Sequence, residues 1–371
     1  MEKQKIVLLC TNLNGTGGTA KHIVQTYHFM DREKFTPSIV FASLSESTLL
    51  EFFYKHGCSK EDLYSVPSLS RSPWGQYFSL RKLWKKIQPD IIHSYFLHSD
   101  ILSCLTGLKD IPRKRISSVE GQFIWDHVNG VGGFKNFCYK VANGMIRGKF
   151  FCTITVSKSL KEEVVQGGGV ARRIEVVPVG IPLVSDQLLQ TRSKDQEPVI
   201  VCLSRLSKDK GVDLFLQVAA ILVKQAPRVR FKIAGNGEEE KTLQELCSNL
   251  GLDSHVEFLG WVENTTDCLN DADIFVMPSR REGCPLALIE AMMHKKAVVG
   301  FDVAGVNEVI IHEVNGYLVP AFDVNAMAGS IAQLIADPTQ REKLENNARA
   351  HALAYYTIDR EKELLEGIYS E

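Results

Sequence analysis

The sequence predicts an α/β protein made of two doubly wound parallel-sheet domains, and three observations carry that prediction. Short apolar runs alternate with longer amphipathic stretches from end to end, which is the pattern of βα units forming a parallel sheet. The pattern then restarts. Between the two series lies Pro178–Pro198, which holds three prolines and little periodicity and reads as a linker. Finally, 371 residues point to two domains rather than one.

In chain order, the first series predicts strands at Lys5–Leu9, Ser38–Phe41, Ile91–His93, Arg115–Val119, Cys152–Val156 and Ile174–Val177. Helical periodicity fills Ala20–Met30, Gln76–Ile87 and Ser157–Gln166. The second series predicts strands at Val199–Leu203, Arg230–Ala234, Val256–Leu259, Ile274–Met277 and Ala297–Gly300. Its helices are expected at Val212–Lys224, Glu238–Leu250, Leu286–Met293, Asn325–Ala336 and Gln340–Ala352. Ligands of such sheets bind outside the carboxyl ends of the strands, so the loops after each strand are where chemistry is sought.

Composition narrows the classes. A formal net charge of −1 gives no global electrostatic case for nucleic acid. The nine cysteines are odd in number and include no C-x-x-C pair. That argues against a metal ribbon or a disulfide framework and for a reducing compartment. The run Ile6–Cys10 is too short for a signal peptide, and no stretch has the length of a membrane span. A cytoplasmic location is expected, with peripheral contact at a membrane left open.

The most informative run is Glu282-Gly283-Cys284-Pro285-Leu286-Ala287-Leu288-Ile289-Glu290. Pro285 suits the first turn of a helix, which puts Glu282 in the preceding loop and Glu290 on the second turn. The unpaired N–H groups and positive dipole of a helix start attract phosphate. Two carboxylates beside such a site are suited to hold hydroxyls, as on a sugar nucleotide. Taken alone, the run is equally a capped surface helix with one buried acid.

Other loops add to it. Asn14-Gly15-Thr16-Gly17-Gly18-Thr19-Ala20 follows the first strand and lets backbone approach a phosphate or sugar closely. It fits neither G-x-G-x-x-G nor G-x-x-x-x-G-K-[ST], which disfavours a dinucleotide cofactor and an ordinary P-loop. In Leu203-Ser204-Arg205-Leu206-Ser207-Lys208-Asp209-Lys210-Gly211, Arg205 follows a strand and Lys210 is expected at the start of the next helix. Two such cations are able to neutralise a diphosphate, Arg as a fork and Lys as a point charge. Gly235-Asn236-Gly237 and Gly260-Trp261 are further turns suited to border a base. Each of these is also an ordinary turn if read singly.

In order, these pieces resemble the family 4 glycosyltransferases. The matching pieces are Gly17-Gly18, Ser204-Arg205 with Lys210-Gly211, Gly235-Asn236-Gly237, Glu282 to Glu290 followed by Ala291-Met292, and the Gly305 and Asn315-Gly316 turns. The resemblance covers nearly the whole chain and is strongest over Val199–Val319. It implies the GT-B fold, two Rossmann-like domains facing across a cleft. The domains are then 1–180 for the acceptor, a linker at 181–198, 199–352 for the nucleotide-sugar, and a segment 353–371 whose helix returns to the N-terminal domain. It also implies transfer with retention of anomeric configuration, from a UDP- or GDP-type sugar to a saccharide or lipid-linked saccharide.

The resemblance gives each residue a role. Arg205 and Lys210 would bind the donor diphosphate, Glu282 the sugar hydroxyls and Glu290 the ribose. Backbone around Gly283, Cys284 and Leu286 would help at the sugar and phosphate. Gly235, Gly237 and Trp261 would border the base, and Gly17 and Gly18 would let the N-terminal domain close over the donor. No metal or other cofactor is expected, since the cations and the helix start stabilise the leaving group.

The chain departs from the family at Glu120-Gly121, where many relatives carry a histidine after the strand. Glu120 would take over that contact, or the contact is absent, or His127 supplies it from a nearby loop. Val179 stands where relatives usually have Asn, and His93 is expected at the cleft floor in a structural role. The stretch Gln122–Lys149, including Arg147, and the helix Leu80–Ile87, with Arg81, Lys82, Trp84, Lys85 and Lys86, are the candidates for acceptor or membrane contact. For the helix, a plain solvated basic face is the competing reading. Alternatives to transfer are a nucleotide-sugar epimerase or phosphorylase of the same fold, or a non-catalytic nucleotide-sugar-binding protein.

Overall fold

A computed structural model describes residues 3–11, 18–42, 46–67, 72–120, 144–166, 172–189 and 196–371. Two compact units emerge: Met1–Val179 together with Asp359–Glu371, and Gly180–Ile358.

The N-terminal unit is a seven-stranded parallel sheet in the order β3-β2-β1-β4-β5-β6-β7. Its strands are β1 Gln4–Cys10, β2 Phe35–Phe41, β3 Leu63–Ser65, β4 Ile91–Tyr95, β5 Lys114–Val119, β6 Cys152–Thr155 and β7 Ile174–Val176. The helices are α1 Gly18–Phe29, α2 Glu46–Lys55, α3 Pro73–Ile87, α4 Phe96–Thr106 and α5 Lys158–Gln166. In β1, Ile6, Leu8 and Cys10 belong to one core cluster, while Val7 and Leu9 belong to another. A strand covered on both faces has to be apolar at every position, which is why β1 reads as a continuous run.

The C-terminal unit is a six-stranded parallel sheet in the order β10-β9-β8-β11-β12-β13. Strands β8 Val199–Leu203, β9 Arg230–Ala234 and β11 Ile274–Met277 fall where expected; β10 Val256–Gly260 and β12 Ala297–Phe301 run one residue longer. β13 Tyr317–Val319 lies where the sequence shows only a turn. Its helices are α6 Val212–Gln225, α7 Glu240–Asn249, α8 Thr265–Asn270, α9 Leu286–Met293, α10 Val324–Ala336 and α11 Pro338–Tyr355. One continuous core joins Phe215, Phe231, Phe275, Met292 and Ile331.

Segment 180–189 groups with the C-terminal unit. Asn270 Nδ2 donates to the Leu188 carbonyl at 2.8 Å, and Arg349 Nη2 donates to the Val184 carbonyl at 2.8 Å. The final helix, α12 Ile358–Ser370, belongs from Asp359 onward to the N-terminal unit. There the Tyr369 hydroxyl lies 2.6 Å from His93 Nδ1, and Lys114 Nζ donates to the Tyr369 carbonyl at 2.8 Å.

Candidate active site

In the C-terminal sheet the strand order reverses between β8 and β11, and ligands of open α/β sheets bind at such switch points. The loop after β8 carries Arg205 and Lys210, and the loop after β11 carries Glu282. Lys210 Nζ donates to both Glu282 carboxylate oxygens at 2.9 Å. The Glu282 side chain is 9% exposed and that of Lys210 22% exposed, so their attraction is only partly screened.

Arg205 extends into solvent, with Nε 3.2 Å from Ser207 Oγ and Nη2 3.8 Å from Asp209 Oδ2. Asp209 also lies 3.9 Å from Lys210 Nζ and accepts from Ser207 Oγ at 2.6 Å. One carboxylate thus sits between two cations that converge on a strand's carboxyl end. Lys210 differs from expectation in one respect. It lies in a short 3₁₀ turn, Lys208–Lys210, and Gly211 separates it from α6.

The loop of Glu282 is fixed from two sides. Arg280 forms a bidentate pair with Asp213 on α6, at 2.8 and 2.7 Å, and also donates to the Lys208 carbonyl at 2.8 Å. Asp213 is held below the usual carboxylate range: burial opposes this, and the Arg280 bonds outweigh burial. On the other side the Glu282 N–H donates to the Ala304 carbonyl at 3.0 Å. Gly305, at φ +81°, has its Cβ position only 2.4 Å from the Glu282 carbonyl oxygen, so a side chain there would push the loop away. Arg280 and Asp213 carried no motif signal, because their pairing spans 67 residues.

α9 starts directly after this loop. Pro285 is its cap residue, one position earlier than the first-turn placement expected, and no side chain caps the helix. Leu286 opens the helix, Gly283 and Cys284 lie in the loop before it, and half-buried Glu290 stands on the second turn. Beside them, Gly235 and Gly237 lie in the loop after β9. The Gly235 N–H donates to the Gly260 carbonyl at 2.7 Å, and the Leu206 N–H to the Asn236 carbonyl at 2.8 Å. These bonds tie the loops after β8, β9 and β10 into one rim. Trp261 follows β10 on that rim and is 59% exposed.

A groove of about 530 Å³ lies instead at the amino ends of β8 to β10, lined by Glu197, Arg230, Lys232, His255, Glu257 and Asp271. Its Arg and Lys are paired with its acids, Arg230 with Glu197 and Lys232 with Asp271, and it carries none of the residues above.

In the N-terminal sheet the switch point lies between β1 and β4. Gly18 is the first residue of α1 there; Gly17 lies outside the described residues, as does His127. Glu120 directly follows β5. Its carboxylate is hydrogen-bonded to His22 Nδ1, and the opposite ring nitrogen, Nε2, is bonded to Glu361 of α12. Neither His22 nor Glu361 was visible as a site residue, being 98 and 339 positions from their partners. His93 is fully buried, bonded to Tyr369 and, at 2.7 Å, to Ser118 Oγ. Burial, with the nearby His22 charge, pushes it down to about 3, so it is neutral.

Two expected contact surfaces change. Trp84 is fully buried, its Nε1 donating to Thr106 Oγ1 at 2.9 Å, so it belongs to the core because it falls on the inward face of α3 with Leu80. Arg147 is also buried, with Nη1 donating to Ser117 Oγ at 2.6 Å and Nη2 3.3 Å from Asp100 Oδ2. That buried pairing takes it out of any solvent-facing basic patch. Residues 121–143 of the other candidate stretch lie outside the described residues.

Two sheets of this topology, with a cation–carboxylate site at the second switch point, define the GT-B class of α/β proteins. The family models agree: residues 16–184 match Glycosyltransferase Family 4, and 186–351 match Glycosyl transferases group 1. The chain belongs to the family 4, group 1 glycosyltransferases. Alpha-D-kanosaminyltransferase of Streptomyces kanamyceticus is 30% identical over 50% of this chain and 48% of its own length. The chain thus matches about half of that relative. An uncharacterized glycosyltransferase of Haemophilus influenzae is 25% identical over 93% of this chain and 94% of its own. The crystal structure of Anabaena Alr3699/HepE in complex with UDP shares the fold, with TM-score 0.83, 18% identity, and 99% and 100% of the two chains covered.

Proposed function

We propose that the protein transfers a sugar from a nucleoside-diphosphate sugar to an acceptor hydroxyl, with retention and without a metal, in polysaccharide or glycolipid synthesis. The observation that carries this reading is the Lys210–Glu282 clasp beside the start of α9. Lys210 and Arg205 neutralise the departing diphosphate. Glu282 accepts hydrogen bonds from sugar hydroxyls, and Glu290 accepts them from the ribose. An oxygen of the leaving diphosphate takes the acceptor proton on the face from which it departs, so the protein needs no nucleophile. Its share is positioning and charge stabilisation.

A metal-free thermal-shift panel of UDP, GDP, ADP and their sugar conjugates tests the donor site. A ligand at a hundredfold excess over its Kd stabilises by about 2.7 kcal/mol. The expected result is a rise in Tm with one nucleotide, absent in Glu290→Ala. If no nucleotide raises Tm, the reading of a non-catalytic or vacated pocket replaces this one.

We also propose an acceptor held at an anionic membrane surface, on the strength of α3. Among the described residues no helix is long and apolar enough to cross a membrane. On α3, Trp74 is 73% and Phe78 63% exposed, one turn apart, followed on the same face by exposed Lys82 and Lys85, with Lys86 alongside. Aromatics with lysines on one helix face suit the headgroup region of a bilayer. Co-sedimentation with phosphatidylglycerol vesicles at low salt is expected to pellet the protein. The double variant Trp74→Ser/Phe78→Ser should lower the partition coefficient about tenfold or more. Equal binding by the variant would remove α3 from the proposal.

A further inference from the structure

We propose that His22 and Glu361 are positioning residues for Glu120: a cationic imidazole, clasped between two carboxylates, fixes Glu120 as a hydrogen-bond acceptor beside α1, the helix that leaves the switch-point strand. The role of Glu120 toward the donor rests on the function proposed above; the clasp itself rests on geometry.

His22 is on α1, the helix that leaves the switch-point strand β1. Each ring nitrogen meets a carboxylate oxygen, Nδ1 that of Glu120 and Nε2 that of Glu361. If both carboxylates are ionised they can only accept, so both ring nitrogens donate and the ring is an imidazolium. The side chains of His22, Glu120 and Glu361 are 7%, 7% and 1% exposed, so no bulk water substitutes for these partners.

The neighbours suit a cation here. Gln25 Nε2 on α1 donates to the other Glu361 oxygen at 2.9 Å, which fixes that carboxylate. From β4, the Tyr95 ring stands edge-on to His22, with centroids 6.1 Å apart, and His93 stacks on Tyr95 in its neutral form. From β5 come Ser118 and Glu120, and from α12 Glu361 and Tyr369. The only charges in this set other than His22 itself are the two carboxylates. Burial opposes the His22 charge, and Glu120 and Glu361 overcome it, raising the ring well above its usual range.

The cation has a task because a buried carboxyl lacking a counter-charge takes up a proton. A protonated Glu120 would donate where the sugar needs an acceptor. His22→Asn keeps a donor near the Nδ1 position and removes the charge. Two buried carboxylates would then face each other without a cation, so the variant is paired with His22→Asn/Glu361→Gln. The double variant removes one basic and one acidic side chain together, which leaves the formal charge of the trio unchanged and favours folding.

The first readout is the ¹⁵N spectrum of the histidine rings in the ligand-free protein. Wild type should show both His22 nitrogens protonated from about pH 6 to about pH 8, where an ordinary histidine becomes neutral. The second is nucleoside diphosphate release from UDP-glucose and from GDP-mannose across the same range. In the double variant kcat is expected to fall roughly tenfold or more near neutrality and to recover as pH rises, with KM nearly unchanged. Glu120→Gln should be low at every pH. A neutral His22 ring below about pH 7 would overturn the clasp. A flat profile for the double variant beside an inactive Glu120→Gln would overturn the positioning role while leaving Glu120 in the site. A fully active Glu120→Gln would remove Glu120 from the site and the proposal with it.

Discussion

Lys210→Met is expected to lower sugar transfer by about two to three orders of magnitude, the usual cost of removing one preorganised charge-stabilising donor. Lys210 is bound to both oxygens of Glu282, so in the proposed function the variant removes a leaving-group cation and frees the carboxylate assigned to the sugar hydroxyls. The stability cost is expected to be about 1–3 kcal/mol, because Glu282 is 9% exposed and gains only partial access to water once Lys210 is gone. Steady-state kinetics with the nucleotide-sugar identified by thermal shift, and a melting curve of the variant, measure both. Arg205→Ala should also abolish transfer with the fold intact, since Arg205 is exposed and its local partners are Ser207 and Asp209. A loss under tenfold in either variant would take that residue out of diphosphate binding.

Gly235→Ala is expected to destabilise the C-terminal unit by about 4 kcal/mol or more, the range reserved for named steric failures. Gly235 sits at φ +137°, and an added Cβ would stand 1.8 Å from the Ser204 carbonyl oxygen. That carbonyl immediately precedes Arg205 in the chain. Relief of the clash would have to move the loop that carries Arg205 and Lys210. Calorimetry should therefore show a lowered Tm, and titration with nucleotide a weakened Kd in whatever folded fraction remains. A variant as stable as wild type would mean the rim of loops yields easily and does not hold the cations.

The C-terminal unit was far more legible in the sequence than the N-terminal one, for physical reasons. Val199–Leu203 and Ile274–Met277 are continuous apolar runs because both faces of those strands are covered, so pattern and strand coincide. β3 and β13 have three residues each, too few for any periodicity. α4 begins at Phe96, directly after β4 ends at Tyr95, so no loop residue marks its start. α2 and α8 were missed too, being short helices of ten and six residues. The candidate residues at 205, 210, 282 and 290 stood out because glycine-rich turns punctuate them. His22 and Glu361 did not. Their meaning depends on three distant segments meeting, and a lone His on a helix reads as a core residue.

Because residues 359–371 complete the first unit, its assembly waits until the whole intervening unit has been synthesised. Asp359–Glu371 pack with Met1–Val179, and everything between belongs to the other unit. On a ribosome, β1, α1, β4 and β5 are exposed to solvent long before Glu361 and Tyr369 leave the exit tunnel. Until then His22 has one carboxylate instead of two, and His93 lacks the Tyr369 hydroxyl. The nascent N-terminal domain therefore waits with two polar core residues half-satisfied while the C-terminal domain folds. A chain cut before residue 359 would keep nearly all of the second unit and lack, in the first, the helix that partners His22 and His93.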